Sequence, residues 1–286
     1  MSTEASAGLL TAVGGAHLLW RGGGAAGSVS RPRRIRHRVR TLVSEHPSAY
    51  LPYARLKYPG PSPRVIGPDT AVVIDGYTRS ASTFAVYAFQ LSQSRPVRVA
   101  HHLHAPAQLI EAARRGLPTL MVIREPRGAL LSQLVREPDV DLLEALYAYR
   151  RFHTSLMGYR DAFVVADFVQ VTGDFGAVVG QMNEKYGTTF GRFSGTPSEV
   201  SRCMHLIERR PSLSPYLLGF ESGEVTLEEA EAQLASLPGP ASADAAWIPS
   251  SARNDAKRVL ERLWSSPRLA SARSRAEDCY EAFLAS

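Results

Sequence analysis

The feature that most constrains the fold is an abrupt change from apolar to polar residues across positions 71–84, which read Ala-Val-Val-Ile-Asp-Gly-Tyr-Thr-Arg-Ser-Ala-Ser-Thr-Phe. The apolar run Ala71–Ile74 is typical of a strand that is buried on both faces of a parallel sheet. Gly76 permits a sharp turn, and the polar residues after it begin a predicted helix. A strand that leads directly into a helix predicts an α/β fold.

The start of this helix has the chemistry of an anion site. Backbone N–H groups at a helix N-terminus have no intrahelical partner, and the helix dipole favours negative charge there. The hydroxyls of Ser80, Ser82 and Thr83 add hydrogen-bond donors, and Arg79 adds a permanent positive charge. We therefore predict a phosphate site at this turn, although the Walker A pattern G-x-x-x-x-G-K-[ST] is missing.

A second strand–helix junction repeats this arrangement over residues 118–132. The apolar run Pro118–Arg124 ends in positive charge, and Ser132 follows two turns into the next predicted helix. Ligands of open α/β sheets bind outside the carboxyl ends of the strands. We therefore expect Arg124, Ser132 and the first turn to lie at the same edge of one sheet.

The remaining pattern alternates strands and helices, which predicts a three-layer α/β/α fold with a mainly parallel sheet and a helical C-terminal part. Residues 1–65 are expected to form a flexible segment and a basic helix, and residues 66–286 an α/β domain. Two further strands are predicted at Val97–His101 and Ala162–Ala166. Helices are predicted at Arg31–Glu45, Thr83–Ser92, Pro106–Arg115, Arg127–Val135, Asp141–Leu156, Phe175–Tyr186 and Asp255–Trp264, with a connector at Leu51–Pro68.

Three segments of the chain resemble the motifs of sulfotransferases that use 3′-phosphoadenosine 5′-phosphosulfate (PAPS). Residues 77–84 resemble the family's Y-P-K-S-G-T-T-W loop, and residues 124–132 resemble its R-D-P-R-x-x-x-x-S segment. Between them, His102-Leu-His-Ala-Pro106 resembles the K-T-H-L-P segment that carries the catalytic histidine. The resemblance implies a nucleotide-binding fold of the P-loop type and a sulfotransferase activity.

The chain departs from the family's pattern at several positions. Thr78, Arg79 and Phe84 stand where the family has proline, lysine and tryptophan, and Ala81 replaces a glycine that lets a phosphate approach. The late R-K-G-x-x-G segment, which closes over the 3′-phosphate, has no clear copy. Ser250, Ser251 and Arg253 are its proposed replacement.

The resemblance implies a role for each matched residue. Arg79 would stabilise the leaving phosphate electrostatically, because a guanidinium is a poor proton donor. His104 would be the general base, since a helix N-terminus disfavours the imidazolium form, and His102 would orient the acceptor or the sulfuryl group. The donor-binding residues would be Arg79, Ser80, Ala81, Ser82, Thr83, Phe84, Arg124 and Ser132. Among them, Arg124 and Ser132 would hold the 3′-phosphate, and Phe84 would either stack on adenine or pack in the core.

Composition narrows the classes of partner. The net charge of +6 suits an anionic ligand, and the arginines of residues 31–40 are interpreted as a solvated helix face rather than a membrane or nucleic-acid patch. We expect no metal, since no carboxylate cluster is visible in the sequence. Two cysteines make neither a disulfide scaffold nor a zinc site. With so few cysteines, a reducing cytoplasm is the expected location. The apolar stretch Gly8–Trp20 is too short to span a bilayer and follows no basic residues, so we expect neither a membrane span nor a secretory signal.

The sequence leaves three functions open. The leading hypothesis is transfer of a sulfuryl group from PAPS to a hydroxyl or amine of a small-molecule or carbohydrate acceptor, with release of adenosine 3′,5′-bisphosphate. The second is a kinase-like nucleotide phosphotransferase, which needs a Walker lysine and a carboxylate for magnesium. The third is a non-catalytic binding protein on the same fold. The acceptor pocket or its lid is expected within residues 196–250, and the oligomeric state is not predicted.

Overall fold

A central sheet of four parallel strands organises the protein. A computed structural model describes residues 31–58, 64–210, 215–236 and 251–285. The strands are β1 (Val72–Gly76), β2 (Val99–His101), β3 (Thr119–Ile123) and β4 (Val164–Asp167), in the spatial order β2-β1-β3-β4. The four strands predicted from the sequence are thus present, all parallel, and the predicted three-layer α/β/α fold is confirmed.

Helices cover both faces of the sheet. Those of the first half of the chain are α1 (Arg31–Val43), α2 (Pro47–Lys57), α3 (Ser82–Leu91), α4 (Pro106–Arg114), α5 (Pro126–Arg136) and α6 (Leu142–Leu156). Those of the second half are α7 (Phe168–Gly173), α8 (Phe175–Tyr186), α9 (Pro197–Arg209), α10 (Pro215–Ser222), α11 (Leu227–Ser236), α12 (Ser251–Trp264) and α13 (Ala270–Leu284). Short 3₁₀ helices lie at Met157–Ala162 and Pro267–Leu269.

The alternation of side chains along the strands separates two cores. Val73 and Met121 point to one face, where they pack in a cluster with residues of α2, α4, α5, α6 and α13. Their neighbours Ile74 and Val122 point to the other face and pack with residues of α3, α8, α9 and α10. Because both faces are covered, the strands consist of continuous apolar runs, as parallel strands do.

The predicted connector at Leu51–Pro68 is wrong over its first part, which belongs to helix α2. Pro47 occupies the first helical position, where a missing N–H has no cost. Tyr50, Leu51 and Ala54 are buried on one face of this helix and join the same core as α4. Burial of that face outweighs the disruption by Pro52 inside the helix, which the local sequence pattern alone could not show.

The basic helix α1 is present, and its arginines face acidic residues as well as solvent. Arg38 donates two hydrogen bonds to the buried carboxylate of Glu144 on α6, at 2.7 and 2.9 Å, and remains half-exposed. Arg33 forms an exposed ion pair at 2.5 Å with Asp139, which lies just before α6. The arginines therefore help to fix α1 on α6. The expected flexible segment, residues 1–30, lies outside the described residues, and the division at residue 65 stays a prediction.

The order of the strands creates a crevice at one edge of the sheet. The chain runs from β1 to β2 on one side of β1 and then crosses to β3 on its other side. In α/β sheets such a reversal leaves a ligand crevice beyond the carboxyl ends of the two strands, here β1 and β3. Gly76 ends β1 at this point, and a Cβ there would collide with the carbonyl oxygen of Val122. Close strand approach, rather than the sharp turn expected from the sequence, is what requires this glycine. None of the described helices is long and apolar enough to cross a bilayer.

Candidate functional site

A pocket opens at the crevice between the ends of β1 and β3. All of the residues to which the three motifs assign a role line this pocket except Ser80. Ser80 is fully buried beneath the first turn. The two strand–helix junctions and the histidine segment therefore meet in one place, although Arg79 and Ser132 are 53 positions apart in the sequence.

The first turn is held in an unusual backbone conformation. Arg79 and Ala81 have φ values of 69° and 75°, in the left-handed region, and Ala81 is the N-cap of α3. Alanine thus adopts the conformation that favours the glycine of the resembling motif. The hydroxyl oxygens of Ser80 and Ser82 are buried and have no hydrogen-bond partner among the described residues. Ser82 lines the pocket, so its unpaired hydroxyl at the helix N-terminus is a donor that an anionic ligand can use, whereas Ser80 lies beneath the turn.

Hydrogen bonds connect the first turn to the second junction. The Arg79 Nε donates to the Ser132 Oγ at 2.9 Å, and an Arg124 Nη1 donates to the carbonyl oxygen of Arg79 at 3.2 Å. The Arg124 guanidinium also stacks on the Phe168 ring, 3.9 Å from its centroid, where β4 passes into α7. Both arginines are therefore pre-positioned in one pocket, close enough to contact a single ligand.

The pocket is strongly positive. Its lining carries the cationic side chains of Arg79, Arg124, Arg136, Arg253 and Lys257, and among the described residues that line it there is no aspartate or glutamate. Burial, helped by the positive charges of Arg253, Arg136 and Arg124, lowers the pKa of Arg79 to about 10. Burial likewise lowers the pKa of Arg136 to about 10 and lowers the pKa of Lys257. A polyanion would relieve this mutual repulsion, so the pocket suits a ligand with several negative charges.

Arg136 and Lys257 are site residues that the sequence analysis missed. Arg136 lies four residues after Ser132 on α5, and Lys257 lies four residues after Arg253 on α12. Residues at this spacing share a helix face, so the signal was available once the first member of each pair had been chosen. Arg253 lines the pocket as expected, Ser251 is exposed and does not line it, and Ser250 lies outside the described residues.

Helix α9 adds an apolar wall to the pocket. Met204 and Ile207 line it from the part of residues 196–250 where the acceptor pocket was expected. Phe84 lines the pocket too, and its ring packs edge-to-face against Phe175 and Phe193, with centroids 6.5 and 6.1 Å away. Phe84 thus contributes to the core and presents part of its surface to the pocket.

The histidine proposed as the base is held by its Nδ1 atom. This atom lies 2.9 Å from the carbonyl oxygen of Gly76 and 3.3 Å from the Asp75 Oδ1. Both oxygens only accept hydrogen bonds, so the Nδ1 of His104 carries a proton, and the neutral form of the ring has its lone pair on Nε2. A neutral imidazole with a free Nε2 has the form that a general base needs.

Asp75 is a buried residue that the sequence analysis did not single out. Its carboxylate is fully buried and accepts hydrogen bonds from the backbone N–H groups of Leu103 and His104, at 3.0 and 3.2 Å. It also accepts from the Gln108 Nε2 at 3.0 Å and from the N–H of Gly76 at 2.9 Å. These bonds fix the histidine segment against the end of β1.

His102 belongs to a buried polar cluster with His101 and Glu221. The donor atoms of these three residues lie within 4.8 Å of one another, a spacing that could hold a metal ion. The Glu221 carboxylate, however, already accepts from Arg210 at 2.5 and 3.1 Å and from the Tyr87 hydroxyl at 2.8 Å. The two histidine Nδ1 atoms are 2.5 Å apart, which is hydrogen-bond distance. We therefore interpret the cluster as a hydrogen-bond network.

Comparison with protein-family models, with curated proteins and with solved structures gives no match to this chain. The functional argument consequently depends on the pocket itself. Its cations, unpaired hydroxyls and helix N-terminus can bind a polyanion, its apolar wall can contact an uncharged group, and His104 can accept a proton.

Proposed function

We propose that this protein is a sulfotransferase that moves a sulfuryl group from PAPS to a hydroxyl or amine of a small-molecule or carbohydrate acceptor. The observation that carries the proposal is the meeting of Arg79, Arg124 and Ser132 with His104 in one positive pocket at the ends of β1 and β3. That residues of all three motifs resembling the sulfotransferase family line one pocket supports the proposal. The protein would release adenosine 3′,5′-bisphosphate.

The proposed reaction uses the chain's own residues for positioning, proton transfer and charge stabilisation. His104 Nε2 takes the proton of the acceptor hydroxyl as the acceptor oxygen forms a bond to sulfur. The bond from sulfur to the bridging phosphate oxygen breaks, and its electron pair leaves with the bisphosphate. Arg79 stabilises the charge that develops on that leaving oxygen. Arg124, with Ser132 nearby, holds the 3′-phosphate by charge-assisted hydrogen bonds.

The kinase-like alternative is disfavoured by the donor set of the pocket. Magnesium in nucleotide phosphotransferases is held by carboxylates and hydroxyls beside the phosphates. The described part of the pocket lining offers hydroxyls and cations without a carboxylate. A sulfuryl group carries less charge than a phosphoryl group, so arginine side chains can stabilise its transfer.

Calorimetry with adenosine 3′,5′-bisphosphate tests the donor site. We expect the wild-type protein to bind this product and Arg124→Ala to weaken binding by about tenfold to a hundredfold, since a hydrogen bond to a charged group contributes about 1.5–3 kcal/mol. Arg127→Ala is the matched control, because Arg127 is exposed, pairs with Glu261 and does not line the pocket. Equal affinities of the two variants, or binding of magnesium–ATP alone, would contradict the proposal.

Turnover of a labelled donor with a panel of acceptors tests the chemistry. His104→Asn keeps a δ-nitrogen donor for the Gly76 carbonyl and a residue that tolerates left-handed backbone, but it removes the basic Nε2. We expect unchanged bisphosphate affinity and a rate at least about a hundredfold lower. Bisphosphate binding without turnover of any acceptor would favour the non-catalytic hypothesis, and full activity of the variant would exclude His104 as the base.

A further inference from the structure

A chain of buried side chains leads from the core to the side of the pocket formed by the start of α3. The Glu221 carboxylate lies 3.8 Å from the Nδ1 atoms of both His101 and His102. These two Nδ1 atoms are 2.5 Å apart, and the Nε2 of His102 lies 3.0 Å from the Oγ1 of Thr83. Thr83 lines the pocket at the N-terminus of α3, so the state of the histidines reaches the ligand through its hydroxyl.

Only two arrangements of protons suit a pair of neutral imidazoles at this distance. In the first, the Nδ1–H of His101 donates to His102, and the Nε2–H of His102 donates to the Thr83 oxygen. In the second, the direction reverses: the Thr83 hydroxyl donates to His102, whose Nδ1–H donates to His101. The first arrangement leaves the threonine proton available to the pocket, and the second consumes it.

The environment of His101 distinguishes the two arrangements. Its Nε2 is buried and has no hydrogen-bond partner among the described residues. The second arrangement would place a proton on this atom, and buried N–H groups without an acceptor are rare. Burial lowers the pKa of His101 to about 4 and lowers that of His102 well below its ordinary value, so both rings are neutral at neutral pH.

We propose that His102 is a positioning residue that fixes the Thr83 hydroxyl as a hydrogen-bond donor to an anionic group in the pocket. His101, held beside Glu221, donates to His102 and so determines the direction of the chain. An anion in the pocket favours the same direction, because the reversed chain would turn the oxygen lone pairs of Thr83 toward it. The proposed function enters only in naming that anion as a phosphate or sulfate group of the donor.

Nitrogen-15 NMR of histidine-labelled protein without ligand tests the proton arrangement. Spectra of His101→Gln and His102→Gln assign the two residues by loss of their signals. We expect His101 to be protonated at Nδ1 and His102 at Nε2. A proton on the Nε2 of His101 would overturn the proposal, and this measurement does not depend on which ligand the protein binds.

A double-mutant cycle tests whether His102 acts through Thr83. With adenosine 3′,5′-bisphosphate as probe, we expect Thr83→Val and His102→Leu each to weaken binding about tenfold, and the double variant to bind no more weakly than Thr83→Val. Thr83→Ser keeps the hydroxyl, and His102→Gln keeps a donor near the Nε2 position, so both should retain most of the affinity. Additive losses would mean that His102 acts independently and would refute the positioning role.

The two proposals fail in different ways. If wild-type protein does not bind the bisphosphate, the proposed function is wrong, and the cycle is repeated with inorganic pyrophosphate as the anion. Coupling between Thr83 and His102 for pyrophosphate would still support the positioning role. Absence of coupling with either probe would refute it, whatever the outcome of the turnover assay.

Discussion

Replacing Asp75 by asparagine should strongly destabilise the protein while hardly changing its shape. The Asp75 carboxylate is fully buried at the end of β1 and accepts hydrogen bonds from Leu103, His104 and Gln108, as well as from the neighbouring Gly76. Asparagine has nearly the same volume, so no cavity forms. Its amide offers one oxygen, and its NH₂ group must face N–H donors that now bind the carboxylate.

The magnitude follows from the number of donors that lose a partner. Both Asp75 oxygens are engaged, the Oδ2 with Leu103, His104 and Gln108 and the Oδ1 with Gly76 and, at 3.3 Å, His104. Whichever position the NH₂ group takes, one or more buried donors become unsatisfied, at about 1–3 kcal/mol each, and the charge assistance is lost for the rest. We expect a loss of roughly 3–5 kcal/mol in the free energy of unfolding, which is large for one substitution.

Urea unfolding followed by circular dichroism measures this loss, provided that the denaturant slope is unchanged. Asp174→Asn is the control, because Asp174 is an exposed N-cap of α8 whose side chain accepts from the N–H of Ala177, and asparagine caps helices equally well. The control should stay within about 0.5 kcal/mol of the wild type. If Asp75→Asn also stays within about 1 kcal/mol, the buried network does not hold the histidine segment as described.

Two further substitutions test the backbone strain and the buried histidines. Ala81→Gly should stabilise the protein by roughly 0.5–1 kcal/mol, because the relief of left-handed backbone strain exceeds the added entropy of the unfolded chain. The control Ala85→Gly, inside α3, should instead destabilise the protein by about 1 kcal/mol or more. Chemical unfolding measures both changes, and a destabilised Ala81→Gly variant would contradict the expected strain. Burial lowers the pKa of His153 to about 4 in the folded protein, whereas the ring in the unfolded chain has the ordinary value of about 6.5. As the pH falls from about 6.5 to 4, the unfolded chain therefore binds a proton at His153 that the folded protein does not, and the free energy of unfolding decreases. His153→Phe should remove roughly 3 kcal/mol of that pH dependence, measured by urea unfolding between pH 7 and 4, and an unchanged pH profile would show that His153 is not buried as a neutral ring.

The local pattern was sufficient for the sheet and for seven of the thirteen α-helices that the structure describes. Beyond residue 186 it predicted a helical part, but gave bounds only for α12. Predicted strands and observed strands differ by one or two residues at their ends, and the helix predicted at Phe175–Tyr186 has those bounds. Apolar runs and helix-start residues are local signals, so they predict strands and helices without knowledge of the tertiary contacts. Helix α2 was missed because its two prolines are typical of a loop. Its apolar face is recognisable only from the core residues that pack on it.

Site residues were predictable from the sequence where their chemistry and their position after a strand are enough to assign a role. They were not predictable where the role depends on hydrogen-bond partners that are distant in the sequence. Arg79, Arg124 and Ser132 follow strand ends, which places them at one sheet edge by topology. Asp75 could not be singled out, since its function comes from donors on a segment almost thirty residues away. The orientation of His102 likewise depends on His101 and on Glu221, which is over one hundred residues distant.

The location of backbone strain identifies the pocket independently of any sequence resemblance. Among the described residues, the non-glycine residues with left-handed backbone are Arg79, Ala81, His102 and His104, and every one of them lines this pocket. Each such conformation costs about 1–2 kcal/mol. This cost is large compared with the free energy of unfolding of a typical native protein, which is about 5–15 kcal/mol. Strain of that size persists only where surrounding structure enforces it, as the hydrogen bonds of Asp75 do for the histidine segment. Packing alone gives no reason for it to concentrate around one cavity, whereas the proposed placement of a phosphate-binding turn opposite a proton acceptor does.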